Sequence, residues 1–490
     1  MPLAENCSIS PDDARNSIIG LARDLAGVAF SLNTMAAFQH FLDWFYPSLF
    51  SLFGRALELW PFDPLVNCPV LKLLAEIVHN RNDRLKFDGT LPMGYLLLAE
   101  MTKILINFGA QLIPFCSQVT EDNLYSHKVK PLTRCLNALR ITLSGKYANF
   151  AIFGLVGDDS FEKTVKLSAD ILLCVTEEEL RGFIKLSKAY FALLECLTQS
   201  HMTLISSLDS SVIRRFFNAI VIGVDSLDAS ISWSACACLD YILTHIYKVS
   251  NTLSSSQSND ANDVTANSNN TNDNVMLKDS EYPLFVPTPP TSLPTSEIAQ
   301  AARQRLTARM AGAVPSRGCC SALAIWSDRE VAANANLQQN FISHTGNAFG
   351  GVSEFTMASR QLIVTFLSSF MNEECKNQWS VSRPLLALIL LNQDYFANLQ
   401  RLVLNAVSPH QRPELEGIFR KLMENVDNNL YAKNRDKFTQ NISVFRHALM
   451  EFMKTVSVKL MGNQQATAAN YDTSEMFSLR SILLSSAASL

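Results

Sequence analysis

Apolar residues recur every three or four positions in nearly every window between Asp12 and Lys248, and this pattern restricts the chain to amphipathic helices. Two such stripes are Leu180, Phe183, Ile184, Tyr190, Phe191, Leu194 and Leu197, and Val70, Leu71, Leu74, Ile77 and Val78. The alternation with period two that marks a half-buried strand is almost absent. Glycine and proline each occur 18 times in 490 residues, whereas average usage would give about 34 and about 25. The sequence therefore predicts an all-α protein.

Short polar, glycine or proline breaks interrupt this helical pattern at close intervals. They fall at 61–69, 82–92, 126–131, 145, 154–159, 175–176, 207–209 and 225–228. Two helices therefore fit into each stretch of about 40 residues, which is the length of a HEAT repeat. A helix pair of this size cannot bury its own apolar face and must stack on its neighbours. We predict a HEAT-like helical-repeat solenoid (an ARM/HEAT superhelix) of roughly eight helix pairs.

Three of the breaks carry residues suited to begin a helix. Thr176 precedes Glu179 by three positions, which is the spacing of a capping box. Asp159 and Asp209 each stand before an apolar stripe and are predicted N-caps. The acidic pair Asp158-Asp159 is also a candidate for metal binding, but its place between two helices favours capping and a turn.

The composition changes sharply after residue 250. Residues 250–274 are rich in Ser, Asn, Asp and Thr and offer hardly any apolar side chain to offset the entropy lost on ordering. A Pro-rich and then a short basic stretch follow. We predict five regions: a mobile segment 1–14, HEAT-like repeats 15–249, a largely disordered low-complexity insert 250–350, C-terminal HEAT-like repeats 351–461 and a flexible tail 462–490.

Charge and cysteine usage exclude several functional classes. With 41 Lys and Arg against 45 Asp and Glu, the chain has no overall field for a nucleic acid backbone, so direct nucleic acid binding is not expected. The 11 cysteines lack paired zinc spacing and indicate buried thiols in a reducing compartment. No secretion signal follows Met1, and polar residues break the longest uncharged run, 104–120, so no membrane insertion is predicted.

The motifs of common catalytic and metal centres are also missing from the sequence. No phosphate-binding GxxxxGK[ST] loop and no HExxH pair is present. Cys236 and Cys238 point to different faces of a helix and cannot by themselves chelate one tetrahedral ion. We therefore predict no catalytic, cofactor-binding or metal-binding residue, no cofactor and no enzymatic activity.

Two polar corners between helices are candidates for a structural role. They are His79-Asn80-Arg81-Asn82-Asp83-Arg84 and Lys433-Asn434-Arg435-Asp436-Lys437. Arginine can bond both carboxylates and backbone carbonyls, and we expect these corners to hold repeats together. Direct contact with a partner is the less favoured alternative.

Several runs resemble a known protein family in order and in sequence. They are RDLAGVAF at 23–30, RALELW at 55–60, PVLKLLAEIVHNRNDRLKFD at 69–88, LSGKYANFAIFGLVGDD at 143–159, LLECLTQSHMTLISSL at 193–208, NQWSVSRPLLALILLNQDYF at 377–396 and NRDKFTQNISVFR at 434–446. Together they cover most of 15–250 and 355–455. They look like the C-terminal half of the exportin-7 and Ran-binding protein 17 family, karyopherins of the importin-β superfamily.

The resemblance implies a nuclear transport receptor that carries folded protein cargo out of the nucleus with Ran-GTP. Such receptors shuttle between nucleus and cytoplasm and contact Phe-Gly nucleoporins in the nuclear pore. Family members are about twice as long, and their Ran-gripping N-terminal repeats have no counterpart here, so the chain resembles a C-terminal portion. The region 251–350 is longer and more polar than the family connection. The alternative function is a helical-repeat scaffold or adaptor without transport activity.

Overall fold

The computed structural model describes residues 10–85, 93–145, 150–260, 352–370 and 378–463 of the chain. Within these ranges the chain forms eighteen α-helices, single turns of 3-10 and π-helix, and no strand. The predicted all-α helical-repeat fold is confirmed, because neighbouring helices pack on one another. Three helices have only five or six residues, so the number of helices exceeds the roughly sixteen expected from eight pairs.

The chain divides into two compact units. Unit 1 consists of Met1–Cys174 with Val249–Phe341, and unit 2 consists of Val175–Lys248 with Ile342–Leu490. The described helices that lie wholly within unit 1 are α1 (Pro11–Ser31), α2 (Met35–Phe45), α3 (Ser48–Leu59), α4 (Pro64–Ile77), α5 (Met93–Cys116), α6 (Lys130–Leu143), α7 (Ala151–Val156) and α8 (Ser160–Leu173).

Unit 1 is held together by contacts between helices that are close in sequence. Helix α4 packs against both α1 and α6, while α5 contacts α3, α6 and α8. The face of α1 that is buried follows the helical repeat, with Ile18, Ile19, Ala22, Leu25, Ala26 and Ala29. Helix α1 thus buries its apolar stripe on a neighbouring helix, as expected for a helical-repeat fold.

Helix α5 is the most apolar long helix among the described residues. By length and composition it is able to cross a membrane, with a mean hydropathy of 1.4 over its most apolar window. The sequence prediction counted only the uncharged run from 104, whereas the apolar helix begins at Met93. Half of that window is buried within the fold, where α5 lies against α3, α6 and α8. This burial is that of a core helix in a helical-repeat unit.

Unit 2 combines helices from two separate parts of the sequence. They are α9 (Glu177–Gly182), α10 (Ile184–Ser200), α11 (Met202–Ser206), α12 (Ser210–Val224), α13 (Ala229–Asp260, of which residues up to Lys248 belong to this unit), α14 (Val352–Phe370), α15 (Gln378–Leu391), α16 (Gln393–Ala406), α17 (Arg412–Leu422) and α18 (Ala432–Asn463). Helix α15 packs against α14, α16 and α18, and α17 packs against α16 and α18. The second part of unit 2 therefore has its own helix-on-helix core.

Helix ends differ from several predicted boundaries. Helix α1 begins at Pro11, inside the predicted segment 1–14, because Ser10 caps it by accepting a hydrogen bond from the Asp13 N–H at 3.1 Å. Helix α13 continues to Asp260, past the boundary predicted at 250, since adding residues to an existing helix costs less than nucleating one. The rest of the predicted insert, 261–350, and most of the predicted tail, 464–490, lie outside the described residues.

The break predicted at 126–131 is wrong. Leu124–Val129 form a π-helical turn that leads directly into α6. Pro131 does not stop the helix because it lies in the first turn of α6, where no N–H donor is required.

The predicted capping box at Thr176 is confirmed. The Thr176 Oγ1 accepts a hydrogen bond from the Glu179 N–H at 3.2 Å, and the Glu179 carboxylate accepts one from the Thr176 N–H at 3.0 Å. Asp209 also occupies the predicted N-cap position of α12, but its side chain makes no capping hydrogen bond. These starts were predictable because capping depends on residues close together in sequence.

Candidate functional site

The polar corner after α4 is built around Arg84, whose side chain is inaccessible to solvent. Its guanidinium donates to the carbonyl oxygens of Ala29 (2.6 Å), Leu32 (3.1 Å), Glu76 (2.6 Å) and His79 (3.1 Å), and to the Glu76 carboxylate (2.9 Å). It also lies 3.9 Å from the centre of the Phe38 ring. One side chain therefore joins the end of α1, helix α2 and the end of α4. The predicted structural role of this corner is confirmed.

The carboxylate of Glu76 is held in its charged form by the same corner. Burial by itself would raise its pKa, but contacts with His79 and Arg81 and the charge of Arg84 lower the pKa from 4.5 to about 2. A lowered pKa in the folded state means that this carboxylate stabilises the fold above pH 4.5 and loses that contribution as the pH falls toward 2.

We expect Glu76→Gln to lower the free energy of unfolding at neutral pH, and the difference from the unsubstituted chain to shrink below pH 4.5. Urea unfolding midpoints at a series of pH values measure this difference. A difference that stays constant down to pH 2 would contradict the assigned role of the charge.

The second predicted corner is built in the same way around Arg435, which is 9% exposed. Its guanidinium donates to both carboxylate oxygens of Asp240 at 2.7 Å, to the Thr244 hydroxyl at 2.6 Å and to the Leu430 carbonyl at 2.9 Å. Asp240 and Thr244 lie on α13, so Arg435 joins α13 to the start of α18 within unit 2. The structural prediction for this corner is also confirmed.

The acidic turn before α8 is a capping structure. The Asp158 carboxylate accepts a hydrogen bond from the Ser160 N–H at 2.8 Å and another from the Tyr95 hydroxyl at 2.9 Å. The predicted capping side chain, Asp159, stands at the N-cap position but makes no capping bond. Its carboxylate pairs instead with the Lys163 ammonium at 2.8 Å. No group of three or more His, Cys, Asp or Glu side chains suited to a metal ion occurs in the described part of the chain.

Four of the described cysteines have the properties of core residues. Cys236 and Cys238 are both fully buried, as are Cys68 and Cys135 to within a few per cent. Burial raises the pKa of Cys68 to about 11 and that of Cys135 to about 12. A raised pKa keeps the thiol protonated, whereas nucleophilic and metal-binding cysteines act as thiolates.

A groove between α3 and α5 is the candidate binding site of unit 1. Its volume is about 220 Å³, and its floor is formed by the apolar side chains of Phe50, Leu57, Ile104 and Phe108, each at most 7% exposed. Gly54 lies on the α3 side, and a Cβ there would approach Ile104 Cγ1 to 3.2 Å. The absence of a side chain at Gly54 therefore lets the two helices come close beneath the groove.

The rim of the groove is polar and electrically balanced. Arg55 and Glu58 on α3 form an ion pair at 2.8 Å, and Glu100 and Lys103 line the opposite side from α5. Ser51, Asn107 and Gln111 complete the rim with uncharged polar groups. An apolar floor with a balanced rim suits a ligand that inserts one uncharged apolar side chain.

Sequence reasoning identified no residue of this groove. The available signal was a glycine in the middle of an apolar helix, which is unfavourable unless a close approach requires it. That signal shows that a neighbour is near Gly54, but α5 as the neighbour is visible only in the structure.

Comparison with known proteins gives a long match to one group of sequences. Exportin-7-B of Xenopus laevis is 32% identical over 450 residues, which cover 92% of this chain and 34% of that protein. Ran-binding protein 17 of Mus musculus is 33% identical with the same coverage, and Exportin-7 of Dictyostelium discoideum is 25% identical over 435 residues. No family model matches the chain, and no solved structure matches it.

The chain spans about a third of the length of the curated relatives it matches, which is less than the half expected from the sequence. The matched part nevertheless includes nearly all of the chain, in agreement with the order of the runs seen in its sequence. The chain is therefore a homologue, along 92% of its length, of the exportin-7 and Ran-binding protein 17 family.

Proposed function

We propose that this chain provides helical repeats of a nuclear export receptor that carries folded protein cargo out of the nucleus with Ran-GTP. The observation that carries this proposal is the match over 92% of the chain to proteins named exportin-7 and Ran-binding protein 17. The helical-repeat fold supports it, because repeats that contact only their neighbours can flex and offer extended binding surfaces. Under this proposal the receptor shuttles between nucleus and cytoplasm and uses binding surfaces, with no cofactor or catalytic centre.

The test of transport function uses a full-length receptor that contains these repeats. We expect cargo proteins to co-purify with it when Ran is locked in its GTP form and to be released when Ran is in its GDP form, since cargo and Ran-GTP binding are reciprocally coupled. Cargo binding that is indifferent to the nucleotide state would instead support the scaffold or adaptor alternative.

The chain by itself is expected to bind Ran-GTP weakly or not at all. The family resemblance assigns the grip on Ran-GTP to repeats that have no counterpart in residues 1–490. A pull-down of Ran loaded with GTP or GDP by the isolated chain measures this, with the full-length receptor as the positive control. Capture of Ran-GTP by residues 1–490 with a nanomolar Kd would contradict the prediction.

We further propose that the groove between α3 and α5 contacts Phe-Gly nucleoporins. Its apolar floor and volume fit a phenylalanine side chain, and its balanced rim fits the uncharged flanking residues of such repeats. A single pocket of this kind gives weak binding, which suits rapid passage through the pore.

Ser51→Trp is expected to block this groove and weaken the binding of a Phe-Gly peptide by about tenfold, the equivalent of about 1.4 kcal/mol. The matched control is Leu52→Trp, because Leu52 is the next residue of α3, is 41% exposed and does not line the groove. Peptide titrations followed by fluorescence or NMR measure both Kd values. Equal changes in Kd for the two substitutions would show that the groove does not bind the Phe-Gly peptide.

A further inference from the structure

The two sequence segments of unit 2 meet at a polar interface centred on Arg435. The Arg435 and Asp240 side chains are 10% and 13% exposed, and these residues stand 195 positions apart in the sequence. A second bond joins the Tyr247 hydroxyl to the Asn428 carbonyl at 2.7 Å. Asp240, Thr244 and Tyr247 follow the spacing of one helical face, so α13 presents a single stripe of bonding groups to the later segment.

The receiving side of this interface is organised by bonds within its own segment. The Asn434 side chain accepts a hydrogen bond from the Asp427 N–H at 2.8 Å and donates to the carbonyls of Asp427 and Asn429 at 2.7 and 2.6 Å. Gln393 also donates to the Asn428 side chain at 2.9 Å. The turn that carries Asn428 and Leu430 is therefore held in shape without help from α13, and a pre-shaped surface loses less entropy when it binds.

Helix α13, on the other side of the interface, is likewise held in position by residues of its own segment. Gly223 of α12 faces Ala235 of α13 so closely that a Cβ added to the glycine would lie 2.8 Å from the Ala235 Cβ, and these two helices are therefore in close contact. Lys188 of α10 forms an ion pair at 2.8 Å with Asp228, just before α13. The Asp240 face of α13, which carries Asp240, Thr244 and Tyr247, thus belongs to a helix that is packed against its own segment.

We infer that residues 352–463 form a docking module whose partner is the Asp240 face of α13 in the same chain, and that this recognition does not require the covalent connection through 261–351. The partner surface is defined chemically by a carboxylate, a hydroxyl and a phenol at one helical spacing. The module contacts this surface through the nearly buried guanidinium of Arg435 and the backbone carbonyl of Asn428. Cutting the connection is therefore expected to leave unit 2 assembled.

The test uses the full chain with a recognition site for a sequence-specific protease inserted after Ser292. After cleavage, we expect the two pieces to co-elute on size exclusion at the position of the uncut chain, although they separate on a denaturing gel. Pieces that separate under native conditions would overturn the inference. A dimer of the uncut chain that Arg435→Asp dissociates would show docking onto a second copy and would overturn the assignment to the same chain.

Charge substitutions identify the contact that holds the cleaved pieces. Arg435→Asp or Asp240→Arg is expected to weaken their association at least about tenfold, and the double reversal is expected to restore much of it. Arg420→Asp is the matched control, because it breaks an exposed ion pair with Glu416 that lies within one piece and outside the interface. Where a reversal prevents folding of the uncut chain, Asp240→Asn replaces it, since it keeps the size and removes the charge. Association unchanged in every interface variant would overturn the role of Arg435.

Discussion

Arg84→Ala is expected to lower the free energy of unfolding of unit 1 by about 3–5 kcal/mol, which is the typical cost of breaking a buried ion pair. The substitution leaves the Glu76 carboxylate, 15% exposed, without one of its cations. It also leaves four carbonyl oxygens without the donor that Arg84 supplies. Contact with the Phe38 ring is lost as well. All these losses fall where α1, α2 and α4 meet.

Urea unfolding followed by circular dichroism measures the loss of free energy of unfolding. Hydrogen exchange of α1 and α4 shows whether that loss falls in unit 1. The matched control is Arg81→Ala, because Arg81 bonds the same carboxylate but its side chain is 30% exposed. We expect that control to cost about 1 kcal/mol or less. Arg84→Lys keeps the charge without the planar fork and is expected to recover only part of the loss. Equal losses for Arg81→Ala and Arg84→Ala would contradict the assignment of the corner to Arg84.

Gly223→Ala is expected to destabilise unit 2 by about 1–3 kcal/mol, even though alanine is the better helix former. A Cβ at Gly223 would lie 2.8 Å from the Ala235 Cβ and closer still to Phe191 Cζ. Phe191 and Ala235 are both buried, at 1% and 0% exposure. The aromatic ring must therefore move, or α12 and α13 must separate, and either change disturbs a packed core.

The matched control for this prediction is Gly417→Ala in α17, where no atom lies within 4 Å of the added Cβ. With open space, the change reduces the freedom of the unfolded chain and is expected to stabilise unit 2 by about 0.4–1 kcal/mol. Thermal and urea unfolding of both variants measure the signs directly. A stabilising Gly223→Ala would show that the contact between α12 and α13 is looser than the structure has it.

Local features of the sequence predicted local features of the structure. Thr176 and Glu179 form the expected capping box because both partners lie within one helical turn. Arg84 and Arg435 were expected to join repeats, since arginine in a polar corner can satisfy carbonyls and carboxylates that the ends of helices expose. Ala29 and Asp240 as their particular partners were not predictable, because they lie 55 and 195 positions away in the sequence.

Prolines and acidic turns show the limit of local reasoning. Pro131 was predicted to stand in a break, yet its position in the first turn of α6 lets the helical backbone pass through. Asp159 was predicted to cap α8, but the cap is made by Asp158, whose second oxygen is held by Tyr95 of α5. In both cases the residue type was informative, and its exact place relative to the neighbouring helix decided its role.

The amino-acid sequence by itself determined that this protein is an array of amphipathic helices, because helical periodicity and capping are encoded within a few consecutive residues. Its family resemblance was likewise readable from ordered runs such as 377–396. Only the tertiary structure decided which helices flank the groove at Gly54 and which distant carboxylate receives Arg435. The physical reason is that apolar stripes specify burial without specifying a partner, and the partner is selected by packing between surfaces that the chain brings together only when it folds.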